Sequence, residues 1–343
     1  MSQQRTVCHL TTTHPADDAR IQRERRTVEQ NGNYTTVVKN IVAGYPKWQH
    51  PFRLLALAKQ AMTTNASIFH CHEPDALGIA LLRKSVMRNR VIYDVHEHWP
   101  SELPRDVGAP HWLSHLIDPV EQWMARRADA VITVSESVGQ RFPGSIVLPN
   151  YPNPPTTPLP NVDISLRSLA IVGAKLHPYH IRDGLSAVTR LRTCWPDVTL
   201  NLIGNLATPV PEGSPVTCTG YLPHAAIPAA LQQAGIGLAL LSPDYENIRI
   251  GLPNRLFSYM MAGIPVIATA LPEIERIVDE TNCGILVQPD DVDAIVDAAI
   301  WLEKRPIQAR WMGERGRQAI VSRYNWDAVQ DRLITCLTDS CER

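Results

Sequence analysis

Gly251-Leu252-Pro253-Asn254-Arg255-Leu256-Phe257-Ser258-Tyr259-Met260-Met261-Ala262-Gly263-Ile264-Pro265-Val266-Ile267-Ala268-Thr269 decides how this chain is read. It spells a loop, a helix, a glycine stop and a buried strand. Pro253 suits the first helical position, and Gly263 with Pro265 ends the helix. Val266–Thr269 is short, apolar and partly β-branched, as strands covered on both faces are. A helix opening in this way presents unpaired N–H groups and the positive end of its dipole, an anion site that needs no metal. An ordinary buried helix–strand unit is the alternative.

Outward from this stretch, short β-branched runs alternate with longer helical patterns, the rhythm of parallel α/β sheets. In the first half the expected strands are Thr6–Leu10, Thr35–Lys39, Ser67–His70, Val91–Val95, Ala130–Val134 and Ile146–Leu148. Arg20–Gln30, Arg53–Met62, Ala76–Arg88 and Ile117–Arg127 read as helices between them. In the second half the strands are Leu169–Val172, Thr199–Ile203, Val216–Thr219, Ile236–Leu241, Val266–Thr269 and Ile285–Val287. The helices there are Gly184–Arg192, Ala225–Gln233, Asn254–Met261, Ile274–Asp279, Val292–Glu303 and Ile307–Ser322, before a last amphipathic stretch, Trp326–Leu337. Between the halves, residues 149–160 hold six prolines, which neither periodic structure accommodates. The expectation is two Rossmann-like, doubly wound domains, 1–150 and 167–322. A Pro-rich linker (151–166) joins them, and a C-terminal helix (323–343) returns toward the first. Ligands in such sheets bind outside the carboxyl ends of the strands, here in a cleft between the domains.

Composition narrows the function. The 343 residues carry 33 Lys+Arg against 34 Asp+Glu, which speaks against a nucleic-acid binder. No apolar run reaches the ~18 residues of a spanning helix, and the N-terminus lacks a signal peptide's apolar core. Seven scattered cysteines without a Cys-x-x-Cys pair suit reduced thiols in a cytoplasm, not a disulfide frame or a zinc site. No Gly-x-Gly-x-x-Gly, Walker lysine or Gly-x-Ser-x-Gly is found, so dinucleotide redox, ATP hydrolysis and esterase chemistry lose support.

Two polar clusters follow first-half strands. His70-Cys71-His72-Glu73-Pro74-Asp75 and Tyr93-Asp94-Val95-His96-Glu97-His98-Trp99-Pro100 belong at a carboxyl edge. Their residue types suit zinc, but their spacing fits no standard zinc motif and alternate side chains on a strand end diverge. Core histidines and substrate contacts are the other readings. Thr11-Thr12-Thr13-His14-Pro15-Ala16-Asp17-Asp18-Ala19-Arg20 opens the first helix, where Asp17 or Asp18 either caps it or, with Arg20, contacts a ligand. Residues 1–150 carry a net +3 and the remainder −4. Arg20, Arg23, Arg25 and Arg26 read either as a solvated helix face or as a dock for a membrane surface.

The quoted stretch resembles the donor-site signature of GT-B glycosyltransferases, most closely family 4, in which Pro-Asn-Lys-Leu-x-Glu-Tyr-Met-Ala-x-Gly-x-Pro-Val-Ile is typical. Ile171-Val172-Gly173, Asn201-Leu202-Ile203-Gly204-Asn205, Thr219-Gly220-Tyr221-Leu222-Pro223, Gly235–Leu240 and Tyr324-Asn325-Trp326 resemble further parts of that fold. The resemblance implies a retaining, metal-independent transfer of a sugar from a nucleotide-sugar donor to a hydroxyl acceptor, with no cofactor. It places donor binding at Gly173, Gly204, Asn205, Gly220, Tyr221, Leu252, Pro253, Asn254, Arg255 and Ser258. Lys175 and Arg182, each one position from the family's basic pair, would clamp the diphosphate. Asp94-Val95-His96-Glu97 is similar to the motif whose histidine lies against the donor sugar, which makes His96 the leading catalytic candidate. His14, Asp18, Arg20, His72, Glu73 and Glu97 are implied on the acceptor side. The family's two glutamates, eight positions apart, fall at Ile250 and Ser258, with Glu246 upstream as a substitute. This departure keeps two other readings open: a nucleotide-sugar 2-epimerase of the same fold, and a non-catalytic sugar-nucleotide-binding homologue. The location implied is cytoplasmic, with peripheral contact of the first domain on a membrane as an addition.

Overall fold

Alternation of β-branched strands and capped helices produces two six-stranded parallel sheets. The computed structural model describes residues 4–41, 47–106, 110–155 and 165–338. Most of the expected linker, 156–164, lies outside the described residues. The chain divides into unit 1, residues 1–150 with 329–343, and unit 2, residues 151–328.

Unit 1 runs β1 (Arg5–Thr11), α1 (Ala19–Gln30), β2 (Tyr34–Asn40), α2 (His50–Thr63), β3 (Ile68–Cys71), α3 (Pro74–Val86), β4 (Arg90–Val95), α4 (Trp99–Asp106), α5 (His111–Ala125), β5 (Ala130–Thr133), α6 (Glu136–Gly139) and β6 (Ile146–Val147). The order is β2-β1-β3-β4-β5-β6, so the connections reverse direction between β1 and β3. Right-handed crossovers then put α1 on one face and α2, α3 and α5 on the other. Strand alternation gives those faces opposite character. His9 of β1 pairs in register with His70 of β3, and these residues share their face with His72 and Asp94 under α1. Cys8, Phe69, Cys71 and Tyr93 point the other way and are fully buried. The Tyr93 hydroxyl donates 2.6 Å to Glu121 of α5, which fixes that side.

Unit 2 runs β7 (Ser168–Leu176), α7 (Pro178–Leu191), β8 (Thr199–Leu206), β9 (Val216–Gly220), α8 (Ile227–Gln232), β10 (Ile236–Ala239), α9 (Glu246–Ile250), α10 (Asn254–Ala262), β11 (Val266–Thr269), α11 (Pro272–Thr281), β12 (Gly284–Val287), α12 (Val292–Glu303) and α13 (Pro306–Ser322). Its order is β12-β11-β10-β7-β8-β9, with the reversal between β7 and β10. Tyr259 of α10 ties that point together. Its hydroxyl accepts from Val172 N–H at 3.1 Å and donates to the Leu238 carbonyl at 2.9 Å. Gly263 ends α10 at φ +72°, as its place after the helix requires.

The last helix, α14 (Gln330–Thr338), belongs to unit 1. Thr27 donates to Gln330, and Arg332 donates to the Val147 carbonyl at 2.7 Å. Residues 323–328, expected to travel with that helix, stay in unit 2: Tyr324 stacks edge-on against Tyr151 and bonds Glu280 at 2.6 Å. Three short helices, α4, α6 and α9, were not expected, since four to eight residues show too little periodicity. Helix α7 starts at Pro178, six residues before the expected Gly184, because Pro178 takes the first helical position.

Candidate active site

In unit 1 the carboxyl ends of β1, β3 and β4, with the start of α1, gather a buried polar cluster at the sheet's switch point. Arg20, 3% exposed, donates through Nε to Asp94 Oδ2 at 3.0 Å and through Nη2 to Oδ1 at 2.9 Å. Its Nε also lies 2.9 Å from Glu24 Oε1, one helical turn on, and Nη1 donates to the Leu148 carbonyl. Asp94 Oδ2 lies 3.0 Å from His96 Nε2 and 3.5 Å from His70 Nε2. His72 bridges His96 Nε2 at 3.0 Å and His9 Nδ1 at 3.1 Å.

Burial opposes the charge of Asp94, but Arg20 and His96 outweigh it and hold the carboxyl well below its usual range. Glu24 goes the other way, pushed up to about 7 by burial and by the Asp94 charge. Burial also opposes a charge on His70, which Glu24 and Asp94 nevertheless raise. His9 and His72 are lowered well below the ordinary imidazole value by burial and by the neighbouring rings. His96 is lowered by burial despite Asp94. Near neutral pH the cluster therefore holds Arg20 and Asp94 charged, with His9, His72 and His96 as neutral imidazoles.

Glu24, His70, His72 and Asp94 have ligand atoms all within 4.8 Å of one another, as a divalent cation would require. Both carboxylates already share the Arg20 guanidinium, which supplies the positive charge that an ion would bring.

The structure sorts the sequence-chosen residues of unit 1. His96 is 11% exposed, with Nε2 fixed by Asp94 and His72 and the ring's Nδ1 outside those two bonds. His14 lies beside it, ring centroids 4.9 Å apart, and is raised against its own burial by a bond to Asp18 and the charge of Glu73. Glu97 is half-buried and adds to that charge. Asp18 caps α1, accepting from the Arg20 and Ile21 N–H groups. Three of the expected acceptor-side residues are buried rather than open to a ligand. Arg20, His72 and Glu73 act through other groups. Glu73 accepts from Thr11 Oγ, Thr12 N–H, and both Thr13 N–H and Oγ, at 2.6–3.2 Å, so it holds the loop after β1. The reading of α1 as a basic face fails too. Arg23 bonds Asn150, Arg25 bonds Thr36, and only Arg26 of the four is exposed.

In unit 2 the carboxyl end of β7 meets the start of α10. Gly173 is pressed against Gly204, whose φ of +140° and 1.7 Å clearance to the Gly173 carbonyl oxygen for an added Cβ exclude a side chain. Arg255, in the first turn of α10, places Nη2 within 3.9 Å of the point a Gly173 Cβ would occupy. Its buried Nη1 makes no hydrogen bond, and no carboxylate pairs with it among the described residues. Burial pulls its affinity for a proton below the ordinary arginine value, opposed only by Tyr259 and Tyr179. Pro253 caps α10 without a side-chain bond, leaving the first N–H groups open next to Leu252 and Asn254. Lys175 is exposed at the end of β7, as are Asn205 after Gly204 and Tyr221 after Gly220, which sits at φ +73°. Ser258 donates to the Asn254 carbonyl within its own helix.

Arg182, the other basic residue expected at the diphosphate, is engaged by carboxylates. It is 55% exposed, and its guanidinium is taken by Asp183 at 2.8 Å and by Asp290. Ile250 is buried, and Glu246 opens α9 in an ion pair with Arg249. His9, Glu24, His70 and Asp94 were given no role of their own from the sequence, although His70 and Asp94 lie within the two quoted clusters. The signal for three of them was the alternation His-x-His on β3 and Asp-x-His on β4, with His9 in the matching position on β1.

Residues 6–161 match the family model described as Glycosyltransferase Family 4, and residues 167–305 the model described as Glycosyl transferases group 1. The chain is 25% identical over 292 residues to an MMP α-(1→4)-mannosyltransferase of Mycolicibacterium hassiacum, covering 77% of this chain and 68% of that one. It is 24% identical over 279 residues to a phosphatidyl-myo-inositol mannosyltransferase of Mycobacterium leprae, covering 78% and 72%. Among solved structures it resembles sucrose-phosphate synthase from Thermosynechococcus elongatus, with a TM-score of 0.71 at 14% identity over 97% and 98% of the chains. It also resembles HepE of Anabaena in complex with UDP and glucose, with a TM-score of 0.71 at 13% identity over 98% and 100%.

Proposed function

The chain belongs to the GT-B glycosyltransferases of family 4 type, and on that premise we propose that it moves a sugar from a nucleoside-diphosphate sugar to a hydroxyl acceptor with retention and without a metal. The observation that carries this reading is Arg255: a half-buried cation with an unbonded Nη1, placed where α10 opens its N–H groups beside the Gly173–Gly204 edge. An uncompensated guanidinium of this kind calls for an anion, and a diphosphate matches both the fork and the helix end. As the glycosidic bond breaks, negative charge grows on the leaving diphosphate. Arg255, Lys175 and the α10 amides are already oriented to meet it, which is the condition for electrostatic catalysis.

His96 meets the sugar. Asp94 and His72 fix its ring, and its lowered basicity keeps it neutral, so it accepts or donates a hydrogen bond without repelling positive charge on the sugar ring. Ser258 takes the place of the family's second glutamate and offers a neutral hydroxyl to the ribose, a weaker contact than a carboxylate. Relatives named as mannosyltransferases support a hexose as the transferred group.

The test is a panel of nucleotide sugars assayed for nucleoside-diphosphate release, with and without EDTA, alongside thermal shifts with the diphosphates alone. Turnover that survives EDTA and is lost in Arg255→Ala supports the reading. Diphosphate binding without turnover by any donor or acceptor turns it toward a binding homologue. Interconversion of the donor without an acceptor turns it toward an epimerase.

A further inference from the structure

Three imidazoles of unit 1 are joined nitrogen to nitrogen. His96 Nε2 lies 3.0 Å from His72 Nδ1, and His72 Nε2 lies 3.1 Å from His9 Nδ1. A neutral ring carries one N–H and one lone pair, and each contact needs one of each. The three protons are therefore not independent. Either every ring is protonated on Nε2 and the bonds run from His96 to His9, or every ring is protonated on Nδ1 and they run back.

Asp94 decides between the two. Arg20 grips both of its oxygens, at 3.0 and 2.9 Å, so the group is a carboxylate and only accepts. Its Oδ2 stands 3.0 Å from His96 Nε2. A proton on that nitrogen makes a charge-assisted bond, shared with His72 Nδ1, whereas a bare lone pair would face a full negative charge. The far end of the chain carries the penalty. His9 Nε2 is enclosed and has no hydrogen-bond partner among the described residues, so its N–H is left unsatisfied there. One neutral orphan is the smaller penalty, because a lone pair held against a buried carboxylate is repelled by a whole charge.

The same choice fixes the margin of the cluster. His96 Nδ1, outside both of that ring's bonds, is left with a lone pair. The ring beside it, His14, turns one nitrogen toward Asp18 at 3.5 Å and the other toward Glu73 at 3.6 Å, so its own N–H groups face carboxylates. The donor that Nδ1 calls for has to come with a ligand.

We propose that Asp94, through the His96–His72–His9 chain, holds all three rings as Nε2–H tautomers and makes His96 Nδ1 an obligate hydrogen-bond acceptor, which selects a sugar hydroxyl and rejects a carboxylate or carbonyl at that point. Asp94, His72 and His9 act through His96 and are positioning residues. The selection of a hydroxyl rests on the sugar-transfer reading; the tautomers do not.

The experiment is a long-range proton–nitrogen correlation spectrum of the full chain with isotopically labelled histidine, recorded above neutral pH. His9, His72 and His96 should each show a protonated Nε2 and an unprotonated Nδ1. A protonated Nδ1 on His96 overturns the proposal. Asp94→Asn, whose amide can donate to His96 Nε2, should bring out Nδ1–H signal from His96; an unmoved pattern takes the selection from Asp94 and overturns it. His72→Phe keeps the carboxylate and serves where Asp94→Asn folds poorly: His96 should stay protonated on Nε2, and a reversal overturns the part given to Asp94. Adding a nucleotide sugar that the enzyme turns over should shift His96 Nδ1 in the direction of a bonded lone pair and leave Nε2 in place. Turnover of a sugar that leaves Nδ1 unmoved overturns the hydroxyl selection. A chain that turns over no nucleotide sugar loses the sugar-transfer reading and the hydroxyl selection together, while the tautomers still stand or fall on the spectrum of the free chain.

Discussion

The carboxyl ends of the two sheets are organised in opposite ways. Unit 1 packs Arg20, Asp94, Glu24 and three imidazoles into a cluster out of contact with water, with only His96 and His14 at its margin. Unit 2 offers two apposed glycines, a bare helix start, the exposed Lys175 and, in Arg255, a half-buried cation that no carboxylate pairs with among the described residues. Burying ions costs several kcal/mol each unless partners compensate, so the first arrangement has to be complete before any ligand arrives. In the second, on the proposed function, the missing partner is the ligand. Dense charge therefore marks the scaffold here, and on the proposed function sparse charge marks the place of binding.

Four experiments bear on that contrast. Asp94→Asn should have the largest effect, because it strips the buried Arg20 of its bidentate partner; a loss of about 3–5 kcal/mol is expected in urea unfolding. A loss below about 1 kcal/mol would mean that the cluster is not self-balancing. Arg255→Ala should leave unfolding nearly untouched and lower kcat/KM for the donor about 100-fold, ~2.7 kcal/mol of transition-state stabilisation. A matched loss of stability would make Arg255 scaffold rather than binder.

Glu24→Gln should act through pH. In the folded protein this carboxyl titrates near 7, against an ordinary value of 4.5, so between those values the folded state holds a proton that the unfolded chain has released. The native protein should thus lose stability through this group as pH rises across that window, by up to about 1.4 kcal/mol per pH unit. The glutamine variant carries no such proton, so its stability relative to the native chain should improve from pH 5 to pH 8. An unchanged difference would show that Arg20 keeps Glu24 ionised. The smallest effect belongs to Arg182→Ala. Its exposed pairs with Asp183 and Asp290 are screened, so donor kcat/KM should stay within about threefold. A loss near that of Arg255→Ala would restore Arg182 as a diphosphate clamp.

Much of this organisation could be read directly from the residues. The alternation of strand and helix placed all twelve strands, because β-branched runs bounded by glycine and proline leave little alternative. The start of α10 was legible from Pro253, and its end from Gly263. The fate of single charges was not. Arg182 is answered by Asp290, 108 residues later, and no local pattern announces such a pair. The arginines of α1 looked like a surface because their spacing shows no apolar stripe, yet docking on the sheet turned Arg20 and Glu24 inward. His72 and Glu73 looked like ligand contacts because they end a strand, but the loop after β1 folds over them.

Local chemistry alone settled the two-sheet architecture and the start and end of α10, since each depends on backbone preferences within a few residues. Only the packed chain decided which charges remain available. That choice rests on strand register and helix facing, which bring residues 70 to 110 positions apart within 3 Å and let a partner from afar neutralise, or fail to neutralise, each ion.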